Sequence, residues 1–163
     1  MQVRAQHAKI EDSRSKFRCV GSVSSHPRAH PMHNLSIRVT DNEIDRMGHV
    51  NHSVYLRWIE EAVHAHWTSL ATPEEFATYL WLAVRHEIDY RRAAFADDLL
   101  RLETRLVTTR RARAWYETVI KREDTTIVEA RSCWCCIDAE SQRPVAIPAD
   151  TIARFLSAAD WTA

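Results

Sequence analysis

Between Asp45 and Tyr55 the chain reads Asp-Arg-Met-Gly-His-Val-Asn-His-Ser-Val-Tyr, placing a carboxylate, two imidazoles, a side-chain amide and a glycine ahead of a helical pattern. A carboxylate beside the free amides of a helix N-terminus can attack a carbonyl or take a proton from water. A backbone N–H near His52 can receive the charge that develops on the carbonyl oxygen. Both halves of acyl transfer are then available in one loop. Asp45 also has a plainer reading as a turn-closing residue, the common role of loop aspartates. His49 and His52 are open between proton transfer and a purely structural place. Gly48 is one of only two glycines, the other being Gly21, so a chain that makes its other turns without glycine has a backbone reason for one here. That reason is a positive φ or the close approach of a ligand.

The element that must hold this loop is the helix behind it. Arg57, Glu60, Glu61, His64 and Thr68 recur at spacings of three and four and fall on one narrow stripe, while Val54, Tyr55, Trp58, Ile59, Ala62, Val63 and Trp67 cover most of the remaining circumference. The pattern predicts a long central helix reaching Leu70 and wrapped by other structure. Asn51 or Ser53 supplies its N-cap, and Asn51 is the residue that would fix the first turn so that its amides face a substrate. Thr72-Pro73-Glu74-Glu75 then starts a short second helix that ends by Tyr79.

The rest alternates with a period of two. Leu35, Ile37 and Val39 mark a first strand over 33–39. In the segment 81–91, Leu82, Val84, His86, Ile88 and Tyr90 are expected to share a core face. A turn at Asp97-Asp98 precedes a long strand carrying Leu100, Leu102, Thr104 and Leu106. The basic turn Arg110 to Arg113 leads into strands near 114–121 and 126–137, joined at Glu123-Asp124, and 149–156 can form a terminal helical turn or two. One strand, a long helix and four more strands joined by short turns define an α+β fold, with a curled antiparallel sheet of about five strands around the helix.

The run Asp45, Gly48, His49, Val50, Asn51, His52 and Tyr55 resembles the signature of the hot-dog fold acyl-CoA thioesterases of the 4-hydroxybenzoyl-CoA thioesterase type. That signature is an aspartate, two residues, a glycine, a run like His-Val-Asn-Asn and a helical tyrosine. The sequence departs from it at His52, where many members carry a second asparagine. The resemblance covers roughly Leu35 to Pro148 and implies the hot-dog fold. It also implies thioester hydrolysis with Asp45 as nucleophile or general base and the His52 backbone amide as the carbonyl-polarising group. The basic turn of Arg110, Arg111 and Arg113 would bind the phosphates of coenzyme A, with Arg91 and Arg92 as second candidates and a solvated turn as the plain alternative. His49 and Tyr55 are carried as further substrate contacts, although Tyr55 also reads as packing beneath the loop. The implied partner is an acyl-CoA or acyl-carrier-protein thioester, coenzyme A entering only as part of the substrate and no other cofactor being required. A non-catalytic acyl-CoA binding module and a hydratase or dehydratase on the same fold are the alternatives.

Lysine plus arginine equals aspartate plus glutamate at 22 each, so no global field marks a nucleic-acid or membrane-surface protein. No apolar run approaches a membrane span and no secretory signal is present, which makes a cytoplasmic location the expectation. Residues 1–32 are basic and aperiodic and read as a disordered arm, leaving 33–163 as one domain; a start at Met32 is the alternative. Cys133 and Cys136 have Cys-x-x-Cys spacing, but a strand points them to opposite faces, so no metal site is expected and free buried thiols are. About five strands cannot cover so apolar a helix without leaving an edge open, which points to a homodimer or a dimer of dimers with active sites at the boundary.

Overall fold

The computed structural model describes residues 32–157 of the 163-residue chain; the expected arm, apart from Met32, and Cys19 lie outside the described residues. The chain runs β1 (His33–Arg38), a short 3-10 turn (Asp41–Glu43), α1 (His52–Leu70), α2 (Pro73–Thr78), β2 (Tyr79–Tyr90), β3 (Leu99–Arg110), β4 (Arg113–Arg122), β5 (Thr125–Asp138) and α3 (Ala149–Ser157). The five strands form one sheet in the order β1-β3-β4-β5-β2, every neighbouring pair antiparallel. This is the hot-dog arrangement that the resemblance implied. β1 and β2 are the two edges, so the connection through α1 must cross the whole sheet, and the apolar side of α1 supplies the core that covers it.

The core has two regions along α1. Val50, Tyr55, Trp58 and Ile59 pack with Leu100, Leu102, Ile120, Ile127 and Val128, whereas Val63 and Trp67 pack with Leu106, Ala114, Tyr116, Trp134 and Phe155. Each fully buried side chain of this size contributes roughly 1.5–3 kcal/mol of hydrophobic stabilisation. The polar stripe of Arg57, Glu60, Glu61, His64 and Thr68 faces outward, so α1 is covered on its sheet side rather than wrapped all round. In β3 and β4 the expected alternation holds, with Thr104 and Thr118 sharing a buried hydroxyl–hydroxyl hydrogen bond of 3.0 Å.

β2 departs from its expected phase. Its register with β5 shifts between Ala83 and Arg85, and the extra residue, Val84, turns the strand over. Trp81 and Ala83 therefore join His86 and Ile88 on the inner face, and Leu82 and Val84, expected in the core, are 59% and 44% exposed. A pure period-two reading misses this because a bulge changes phase without any glycine or proline to mark it.

Candidate active site

The Asp45 loop is closed at its root by an antiparallel bridge between Ile44 and Val50, and the Asp45 amide donates to the His49 carbonyl at 2.9 Å. The Gly48 amide returns to the Asp45 carbonyl at 3.0 Å. Gly48 has φ +81°, and a Cβ added there would meet no heavy atom within 4 Å. The glycine thus spares the loop the cost of a side chain on a left-handed backbone, and the space above it is open. Asp45 Oδ1 accepts from the Met47 amide at 2.7 Å, the turn-closing role, while the side chain keeps 20% of its surface exposed. His49 Nδ1 lies 3.8 Å from the same oxygen, outside direct hydrogen-bond range.

Asn51 caps α1: its side-chain oxygen accepts from the Ser53 amide at 2.9 Å and from the Ser53 hydroxyl at 2.8 Å, a cap worth about 1 kcal/mol. Its own amide donates to the Glu43 carbonyl at 2.9 Å. The His52 amide, first in the helix, donates to no acceptor among the described residues, and the partial positive charge of the helix start adds to it. The His52 ring is exposed and stands edge-on to Tyr90 with centroids 4.7 Å apart. Asp45, Gly48, His49, Asn51 and His52 are thereby brought together.

Tyr55 belongs beneath this group and not in contact with a substrate. It is 3% exposed, and its hydroxyl accepts from the Ala94 amide at 3.2 Å, while the Ala94 carbonyl receives the Val50 amide at 2.9 Å. Burial pushes its phenol up from the ordinary value. Of its two expected roles, substrate contact and packing beneath the loop, the burial supports the second, because an inward phase on α1 leaves the ring no route to solvent.

The basic turn is not brought to Asp45 within one chain. Arg110, Arg111 and Arg113 join β3 to β4 beside the second core region, at the C-terminal end of α1, and 19 helical residues at 1.5 Å each separate the two ends by roughly 28 Å. Arg111 has φ +55°, and its carbonyl accepts from Ile147 at 3.1 Å. Arg113 reaches Cys133 Sγ at 3.8 Å. Of the second candidates, Arg91 is engaged by Glu129 at 2.7 Å, while Arg92 makes no ion pair among the described residues. Cys133, Cys135 and Cys136 are free and buried, and burial pushes the Cys136 thiol up to about 12, which keeps it an unreactive thiol. Among the described residues, no group of three or more His, Cys, Asp or Glu side chains is placed to hold a metal, and no helix is long and apolar enough to cross a membrane.

Among the described buried polar residues outside the sequence-derived set, two are titratable, Glu43 and His66. Glu43 is 8% exposed; its carboxylate accepts from the Thr40 amide at 2.9 Å and the Thr40 hydroxyl at 3.0 Å and pairs with Arg57. Burial opposes its charge, but the Thr40 and Arg57 donors outweigh it and hold the carboxyl below its ordinary value. The spacing Thr40-x-x-Glu43 is a capping box, a signal that the sequence carries in plain form. His66 is 2% exposed among His33, Tyr116 and Phe155, and burial brings its pKa down to about 4. Its spacing from Ile59 and Ala62 puts it on the inward face, the signal that marks it.

With this geometry in place, residues 39–155 match the Thioesterase-like superfamily, and the chain belongs to that superfamily. It is similar to the acyl-CoA thioester hydrolase YbgC of Escherichia coli O6:H1, at 25% identity over 125 residues, covering 73% of this chain and 92% of the relative. It is similar also to the long-chain acyl-CoA thioesterase FadM of Escherichia coli K12, at 28% identity over 118 residues and 68% and 87% coverage. Among solved structures it superposes on a probable thioesterase from Bartonella henselae with TM-score 0.63 and 25% identity, covering 72% of this chain and 98% of that one.

Proposed function

We propose that the protein hydrolyses acyl-CoA thioesters by the route of the 4-hydroxybenzoyl-CoA thioesterase type, with Asp45 as its reacting carboxylate. The observation that carries this reading is a partly exposed carboxylate, under an open left-handed glycine, in the same loop that leads to the unpaired His52 amide. Asp45 either attacks the thioester carbon, giving a mixed anhydride that water opens, or takes a proton from the water that attacks. In both cases the His52 amide receives the oxyanion charge and the thiol leaves with a proton. The names of the relatives, acyl-CoA thioester hydrolase and long-chain acyl-CoA thioesterase, support the substrate class.

The working unit in this reading is a homodimer, alone or doubled, formed through β2. That strand is a 12-residue edge exposing Leu80, Leu82 and Val84, the kind of edge that pairs with another chain. Antiparallel pairing about a two-fold axis at the middle of β2 carries the Tyr90 end of one chain to the Tyr79 end of the other. Since His52 stands on Tyr90, the Asp45 loop of one chain comes to the far end of α1 in its partner. A groove of about 590 Å³ lined by Val63, Trp67, Leu80, Trp81 and Trp134 lies there, suited to an apolar acyl group. Arg113 is two strands away, in the row Arg113–Cys135–Leu82, so the basic turn of the partner can take the phosphates. The test is a panel of saturated, aromatic and α,β-unsaturated acyl-CoAs followed by thiol release. Release from at least one acyl class supports hydrolysis, whereas loss of the unsaturated bond without free thiol supports the hydratase alternative that the nearby His49 would serve.

A further inference from the structure

A seven-residue loop, 44–50, must be fixed against the helix whose amide it faces, and the residue before it does this. Glu43 is attached to α1 twice. Its main-chain carbonyl holds the Asn51 amide at 2.9 Å, at the cap of the helix, and its carboxylate holds Arg57 on the helix's outward stripe. The other carboxylate oxygen holds the amide and hydroxyl of Thr40, so the chain entering the loop is fixed as well. A carboxylate 8% exposed is costly unless every oxygen is engaged, and here both are. An apolar residue would fill the same space without linking the strand side of the loop to the helix.

We propose that Glu43 is a positioning residue, which with Arg57 locks the distance between the Asp45 carboxylate and the α1 amides. The proposal rests on the reading of Asp45 as the reacting group. Misplacement of a reacting group by about 1 Å costs on the order of a hundredfold in rate, so a clamp of this kind acts on turnover and hardly on binding.

The experiment is steady-state hydrolysis of an acyl-CoA by the full chain and by Glu43→Ala, Arg57→Met, the double variant and Glu103→Ala. Glu103 is the control: its carboxylate is as covered as that of Glu43 and pairs with Arg101 at 2.9 Å and Lys121 at 2.7 Å, on the face of the sheet turned away from α1. Glu43→Ala is expected to lower kcat by roughly tenfold to a hundredfold with KM changed less than about twofold. Arg57→Met, at a residue 53% exposed, leaves the Thr40 half of the link in place and gives a smaller loss of the same type, and the double variant is no worse than Glu43→Ala because both break one link. Glu103→Ala loses stability to a similar degree and keeps kcat. Unchanged kcat in Glu43→Ala, or in Arg57→Met where Glu43→Ala fails to fold, overturns the clamp, as does an equal kcat loss in Glu103→Ala. If Asp45→Asn is as active as the parent, the functional reading itself falls; if Asp45→Asn is inactive and Glu43→Ala is not, only the clamp does.

Discussion

The two ends of α1 are built with one device and put to different uses. Before the helix, Thr40-x-x-Glu43 forms a capping box whose glutamate pairs with Arg57; after it, Thr72-x-x-Glu75 forms another whose glutamate takes Thr151 and Arg154 of α3. At the first end the device opens into a loop with a left-handed glycine, a partly exposed carboxylate and a free helix amide. At the second it pins α3 over an aromatic cluster of Trp67, Tyr116, Trp134 and Phe155. The same local chemistry thus yields an open, polar end and a packed end, and the difference lies in the segment just past each glutamate: a polar loop after Glu43, a short helix running into β2 after Glu75. In the proposed dimer the Asp45 end of one chain meets the packed end of its partner.

The contrast is open to attack at several strengths. Asp45→Asn removes the carboxylate proposed to react while keeping the Met47 contact in reach of an amide oxygen, and turnover is expected to drop by roughly 10²–10⁴-fold with the fold intact. A circular dichroism spectrum together with thiol release checks it, and undiminished turnover would remove the assignment. Next comes complementation. Chains carrying Asp45→Asn mixed with chains carrying Arg110→Ala, Arg111→Ala and Arg113→Ala should regain about a quarter of the parent activity, because half the dimers are mixed and each mixed dimer keeps one complete site. No recovery above the two separate proteins means the basic turn does not serve a partner's Asp45.

Smaller effects test each end alone. Gly48→Ala meets no steric obstacle, so its cost is the left-handed backbone only, about 1–2 kcal/mol of stability in denaturant unfolding. A variant as stable as the parent would show that the loop relaxes to another conformation. At the packed end, His66 stays neutral in the folded chain down to about pH 4, whereas an unfolded imidazole binds a proton from 6.5. The unfolded state therefore takes up more protons between those values, and stability present above pH 6.5 declines as the pH falls towards 4. His66→Phe should flatten that decline in a melting-temperature series, and an unchanged slope would assign it to other groups.

How much of this could be read from the chain depends on whether the deciding interaction is local. Asp45, Gly48 and Asn51 lie in one short run, and the turn, the φ of the glycine and the N-cap are all settled within a few residues, so the conformation of the loop was legible. The same holds for β4 and for β3 as far as Leu106, where alternation is uninterrupted before the bulge at Val107. The bulge at Val84 was not legible, because the register of an edge strand is set by its partner β5 and a one-residue slip leaves no mark in composition. Tyr55 was legible as packing beneath the loop, whereas its hydrogen-bond partner Ala94, 39 positions away, was not. The place of Arg110, Arg111 and Arg113 was decided only by tertiary structure: the sequence determined a basic turn, but which end of α1 it adjoins depends on crossing the sheet from edge to edge, a long-range fact that no local pattern carries.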